Sequence, residues 1–128
     1  MRTLVVVLYL VAAIVNLLPG LGVLSATRME GLYGVPIRSP DLEILMRHRA
    51  VVLAIVGALL AVAAFHVPLR PAALVAGLVS MVSFVVIAAA VGDYGAPLRR
   101  VAAVDLFATV ALILGAILDR IAGGGSDG

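Results

Sequence analysis

The chain contains no cysteine and no tryptophan, and all nine of its Lys+Arg cations are arginine. Without cysteine there is no disulfide, no thiolate metal site and no CxxC pair, which excludes a quinone-linked thiol oxidoreductase. Charge is scarce as well: 12% of the residues carry it, about half the share usual in soluble domains. The arginines sit at the ends of apolar runs rather than along one face with interleaved aromatics, so no nucleic-acid partner is expected. There is no Gly-rich phosphate loop, no HExxH and no defensible Ser/His/Asp order. His48 and His66 fall at opposite ends of one expected helix and cannot share a metal. No metal and no cofactor are expected.

What the chain has is hydrocarbon. Hydrophobic residues make up 64% of its 128 positions, and its mean hydropathy is +1.25. A water-soluble fold of this size has too small an interior to hide that surface, so the expected solvent and partner is a lipid bilayer. Four apolar runs appear, Leu4 to Leu24, Ala50 to Phe65, Ala72 to Val91 and Val101 to Leu118. A spanning helix needs about 20 residues. The second run reaches that length only if its helix starts upstream, inside the charged stretch that follows Ser39. The start signals are there: Ser39 as N-cap, Pro40 at the first helical position, Asp41 and Glu43 in the first turn.

The expected fold is therefore all-α, an integral membrane four-helix bundle in a single domain over 1–122. Its spans are expected at about 4–24, 40–65, 72–91 and 101–118, with a flexible polar tail over 123–128. The first run exceeds the roughly 7–15 residues of a signal-peptide core and is read as a retained helix. The turn His66 to Pro71, with two prolines and Arg70, reads as a rigid, wet hairpin. A weak repeat is visible: Tyr33-Gly-Val-Pro36 follows the first span and Tyr94-Gly-Ala-Pro97 the third, each with an arginine pair beyond it. Duplication would make the bundle two parallel two-helix repeats. Turn chemistry alone also produces such matches.

With four spans both termini share one side. Arg2, Arg70 and Arg120 lie there, against Arg28, Arg38, Arg47, Arg49, Arg99 and Arg100 on the other. The positive-inside rule then puts loops one and three in the cytoplasm and the termini outside. If Arg47 and Arg49 are site residues rather than loop charges, the balance narrows to four against three.

The chemistry-bearing residues cluster toward the side of loops one and three. Arg47, His48 and Arg49 point in directions spread over about 200° of the second helix. Glu43 precedes Arg47 by one turn, and Asp41 shares a face with His48. One reading has the cations snorkelling to lipid phosphates. The other turns Arg49 or His48 inward to meet Asp105, a carboxylate inside the fourth run. Such an acid serves as a structural ion-pair partner or as a general base. Asn16, beside the kink residue Pro19, reads as a helix–helix hydrogen bonder or a cavity-lining group, and Ser80 and Ser83 as hydrogen bonders across helices. Asp105, His48 and Glu43 are thus the catalytic candidates, and Asn16, Arg47, Arg49 and Ser83 the ligand-binding candidates. The opposite half, through Gly57, Ala61, Ala73, Gly77, Ala111 and Gly115, offers small-residue spacing for close packing.

Leu32-Tyr-Gly-Val35, Pro40-Asp-Leu42, Met46-Arg-His-Arg-Ala50, Gly77-Leu-Val-Ser-Met-Val-Ser-Phe84 and Arg99-Arg-Val101 with Asp105 resemble a group of small four-span bacterial inner-membrane proteins. Members of that group are sometimes labelled phosphopantetheine adenylyltransferase. This chain has no His-x-Gly-His site, and the label is rejected for it. The resemblance implies a multi-pass protein of the bacterial inner membrane. In outline the chain is also similar to small multidrug transporters, but it has Asn16 in place of their first-span glutamate and lacks their tryptophans. Sterol-isomerase-like four-span proteins use intramembrane acids and histidine, which Asp105, His48 and Glu43 would imitate. The expected function is a non-catalytic accessory or structural subunit, in a homo-oligomer or with a membrane-protein partner. A membrane enzyme or binding protein for a lipophilic ligand using Asp105 and His48 is the alternative, and a proton-coupled transporter the third.

Overall fold

The computed structural model describes residues 1–20, 30, 34, 36 and 39–126. The helices are α1 (Arg2–Gly20), α2 (Pro40–Phe65), α3 (Arg70–Val91) and α4 (Ala96–Ser126), with a 3-10 turn, Val67–Leu69, between α2 and α3. All four are long and apolar enough to cross a membrane, and no strand occurs among the described residues. The protein is a multi-pass, all-α bundle.

Local signals account for most of the boundaries. Ser39 is extended at φ −105° and ψ 145°, and its Oγ accepts the Leu42 N–H at 3.1 Å, so α2 starts inside the charged stretch as its cap predicts. The other spans start or end differently from their apolar runs. α1 begins at Arg2, and the remainder of the first expected span, 21–24, lies outside the described residues. α3 starts at Arg70 and α4 at Ala96, both upstream of the runs that predict them. α4 also continues through Ser126, so positions 123–126 of the expected flexible tail are helical. Hydropathy marks where hydrocarbon ends, whereas the i→i−4 ladder can run past that point, and no proline follows Leu118 to stop it.

The helices form a square. α1 packs on α2 and α4, and α3 packs on the same two, leaving α1–α3 and α2–α4 as diagonals. Val5, Phe65, Arg70 and Asp119 border one cavity, which puts the start of α1, end of α2, start of α3 and end of α4 together. This is the terminal end. Val15, Pro19, Pro97 and Asp105 meet at the other, the loop end. Neighbouring helices are therefore antiparallel.

Alanine dominates the core, with Ala12 and Ala13 of α1, Ala63 and Ala64 of α2, Ala73 of α3 and Ala108 of α4 around Val5, Tyr9, Leu60, Met81 and Leu112. Lipid tails are as apolar as leucine, so helices associate in a bilayer through close contact rather than apolar burial. Gly57 shows how close: a Cβ there would lie 2.6 Å from Leu17 Cγ and 3.0 Å from the Ala13 carbonyl oxygen. The large side chains face outward instead, among them Ile55, Val75 and Phe107.

The glycines of the two Tyr-Gly-x-Pro segments differ in conformation. Gly34 has φ +68°, and its N–H donates to Glu30 O at 2.8 Å. A Cβ on Gly34 would come within 2.7 Å of Pro97 Cγ, so the glycine of the first segment seats the proline of the second. Gly95, its counterpart, lies outside the left-handed region, where Gly92 and Asp93 make the turn.

Candidate functional site

The strongest polar constellation is at the terminal end, where the hairpin was expected to be wet. Arg70 is only 6% exposed. Its Nε donates to Ala63 O at 3.0 Å, Nη2 to Ala64 O at 2.8 Å and Nη1 to Asp119 Oδ1 at 2.6 Å, and the guanidinium carbon lies 5.5 Å from the centroid of the Tyr9 ring. One side chain thus ties α3 to α1, α2 and α4. The local sequence makes this possible. The last carbonyls of a helix have no partner within it and carry the negative end of its dipole. Here Val62 O accepts the His66 N–H at 2.9 Å, and Arg70 serves the next two. Pro71, in the first turn of α3, fixes the helix start that aims Arg70 back at α2. Asp119 was not among the expected site residues. The available signal was that Arg70 and Asp119 occupy the same end of antiparallel spans.

The bundle centre holds a neutral pair across the α1–α3 diagonal. Asn16 is 2% exposed; its Nδ2 donates to Ala12 O at 2.9 Å, and its Oδ1 accepts the Ser80 hydroxyl at 2.9 Å. Ser80 bonds across helices as expected, whereas Ser83 donates to Ser80 O of its own helix at 3.2 Å. Ser83 is exposed on α3.

At the loop end the expected residues are close in height and divided by direction. Glu43 and Arg47 pair at 2.9 Å on the exposed side of α2, and His48 is exposed beside them. Arg49 stacks over Phe84 of α3, 5.0 Å from the ring centroid. Asp105 is half-buried and borders a cavity of about 210 Å³ with Val15, Leu18, Pro19, Pro97 and Arg100, between α1 and α4. Thr109 donates to the Asp105 backbone carbonyl at 2.7 Å. The ion pairs among the described residues are Glu43–Arg47 and Arg70–Asp119, so the expected Arg49–Asp105 pair is not closed. The reason is the square: α2 and α4 are diagonal, and Arg49 turns to its neighbour α3.

A cleft of about 580 Å³ lies against α2, α3 and the start of α4, bordered by Arg49, Ser80, Ser83, Phe84, Tyr94 and otherwise apolar side chains. That volume lies in the roughly 300–1,000 Å³ range of small-molecule sites. Asp105 borders the cavity between α1 and α4, whereas His48 is exposed on α2, and no group of three metal-ligating side chains occurs among the described residues. No family model, curated protein or solved structure matches the chain.

Proposed function

We propose that this chain is a non-catalytic accessory or structural subunit of the bacterial inner membrane, acting in an assembly with further copies or a partner membrane protein. The observation that carries this reading is how the interior polar groups are used. Among the described residues Arg70, Asn16 and Thr109 are the buried polar ones, and every one bonds within the bundle. No buried side-chain N or O among the described residues lacks a partner. General acid–base work requires groups within hydrogen-bond reach of one reacting atom. Asp105, His48 and Glu43 instead face different surroundings. An outer surface of exposed valine, isoleucine, leucine and phenylalanine is available for neighbouring helices or lipid.

The burial of Arg70 also bears on orientation. As an interior ion-pair residue it leaves the loop-charge count, so Arg2 and Arg120 remain at the terminal end. That strengthens the asymmetry favouring termini outside. Accessibility reporters at Arg2 and Asp93 are expected on opposite faces, with Asp93 cytoplasmic. Native mass spectrometry after extraction in a mild detergent tests the subunit reading. A species heavier than one 13.1 kDa chain, by whole copies or a fixed partner mass, is expected. A bare single chain under conditions that preserve known membrane complexes overturns it.

A further inference from the structure

The cavity at the terminal end carries charge of both signs, and those charges do not all neutralise one another. It holds about 560 Å³ and is bordered by Arg2 of α1, Arg70 of α3 and Asp119 of α4. Arg70 is committed inside the bundle, with Nε, Nη2 and Nη1 donating to Ala63 O, Ala64 O and Asp119 Oδ1. Arg2 does not pair with Asp119, since the ion pairs among the described residues are Glu43–Arg47 and Arg70–Asp119. We infer that this cavity binds a small zwitterion, its primary ammonium on the second carboxylate oxygen of Asp119 and its anionic oxygen on Arg2. The inference goes beyond the subunit reading and does not require it.

Size, depth and pre-set geometry support it. The volume lies in the roughly 300–1,000 Å³ range of small-molecule sites. The loop-end cavity also sets an acid, Asp105, near an arginine, Arg100, but at about 210 Å³ it is too small. Arg2 precedes the apolar run that starts at Leu4, and Asp119 follows the run that ends at Leu118. Both therefore stand at the edge of the hydrocarbon, where head groups and dissolved solutes meet the bundle. The acid is also fixed in place. Arg70, only 6% exposed, holds its Oδ1 at 2.6 Å. No donor among the described residues reaches Oδ2, and the Asp119 side chain is 29% exposed. An acceptor already held in position loses little freedom when a ligand arrives.

The charge pattern selects the ligand class. A simple anion meets repulsion from Asp119, and a simple cation meets it from Arg2 and Arg70. A molecule with both charges can match both walls. Quaternary ammonium groups are recognised by aromatic cages, and Phe65 is the one aromatic residue bordering the cavity among the described residues. A carboxylate oxygen instead accepts N–H, which a primary ammonium supplies. A phosphoethanolamine head group and a free solute with the same two groups share this chemistry.

The test is isothermal titration calorimetry of the whole chain in a nonionic detergent. One pair of ligands is O-phosphoethanolamine and phosphocholine; the other is dihexanoylphosphatidylethanolamine and dihexanoylphosphatidylcholine. Within each pair the phosphate is shared and only the ammonium differs. In at least one pair the ethanolamine form is expected to bind about tenfold more tightly, as one charge-assisted hydrogen bond implies. A preference in the soluble pair assigns a free solute, and one confined to the lipid pair assigns a head group; both uphold the site. Asp119→Asn keeps an oxygen for Arg70 and replaces the other acceptor with N–H donors, so it should erase the preference. Arg2→Gln should weaken both members of the pair, whereas Arg47→Ala, at the far end, should change neither. Ala122→Phe, which fills the cavity without altering its charge, should abolish the tight binding. Absent binding, or equal binding within both pairs, overturns the proposal. So does a folded Asp119→Asn variant that keeps the preference, or an unchanged affinity in Arg2→Gln. If Asp119→Asn does not fold, Ala122→Phe decides: tight binding that survives it lies elsewhere and overturns the assignment.

Discussion

Each end of the bundle sets an arginine against an aspartate of α4, and the two ends resolve it differently. At the terminal end Arg70 reaches Asp119 at 2.6 Å while capping α2 and lying against Tyr9. At the loop end Arg49 stacks on Phe84, and Asp105 borders a separate cavity. Composition does not distinguish the two pairs. Position in the square does: α3 neighbours α4, whereas α2 lies across the diagonal from it. A buried charge pair holds a membrane bundle together only where its helices touch. Across the diagonal the same residue types do not pair.

Breaking the terminal pair should have the largest effect. Arg70→Ala leaves Asp119 and two helix-end carbonyls without their donor. A loss of about 3–5 kcal/mol is expected, as for other broken buried pairs, read by steric-trap or thermal unfolding in bicelles. A loss below about 1 kcal/mol, the usual size for an exposed pair, would show the clamp to be ornamental. A double-mutant cycle sharpens the contrast. Coupling between Arg70 and Asp119 should approach the roughly 3 kcal/mol upper range for contacting residues, and coupling between Arg49 and Asp105 should stay near the lower bound of about 0.5 kcal/mol. Equal couplings would mean that diagonal placement does not matter.

The neutral link at the centre should be intermediate to small. Ser80→Ala removes the α1–α3 hydrogen bond, and a cost of about 0.6 kcal/mol is expected from cycles in other membrane bundles. Asn16→Leu should cost more than Ser80→Ala, because Asn16 also bonds Ala12 O. Smallest of all, Arg47→Ala removes an exposed i,i+4 pair and should change stability by about 0.3–0.5 kcal/mol. A larger change would require Arg47 to do something besides pair with Glu43.

Much of the loop end was legible residue by residue. Ser39, Pro40 and the acids after them predict where α2 starts, and the Glu43–Arg47 pair follows from helical spacing alone. Asn16 and Ser80 stood out because polar side chains inside apolar runs must find partners. Ser83, in the same run, bonds to its own helix instead, a distinction that run composition does not carry. Arg70 reads as a turn residue in the sequence because it lies between Pro68 and Pro71, a context that marks turns and surface. Asp119 was passed over because it sits past the end of an apolar run, where an acid in water needs no explanation.

The sequence by itself determined the number of membrane helices, the start of α2 and the need for internal partners at Asn16. Those follow from apolar run length, capping and the cost of a polar group in hydrocarbon, all of them properties of consecutive residues. Only the tertiary structure decided which arginine meets which aspartate. That choice depends on which helices are neighbours, and with every span similarly apolar, the order of helices around the square is set by Ala and Gly contacts such as Ala13 with Gly57.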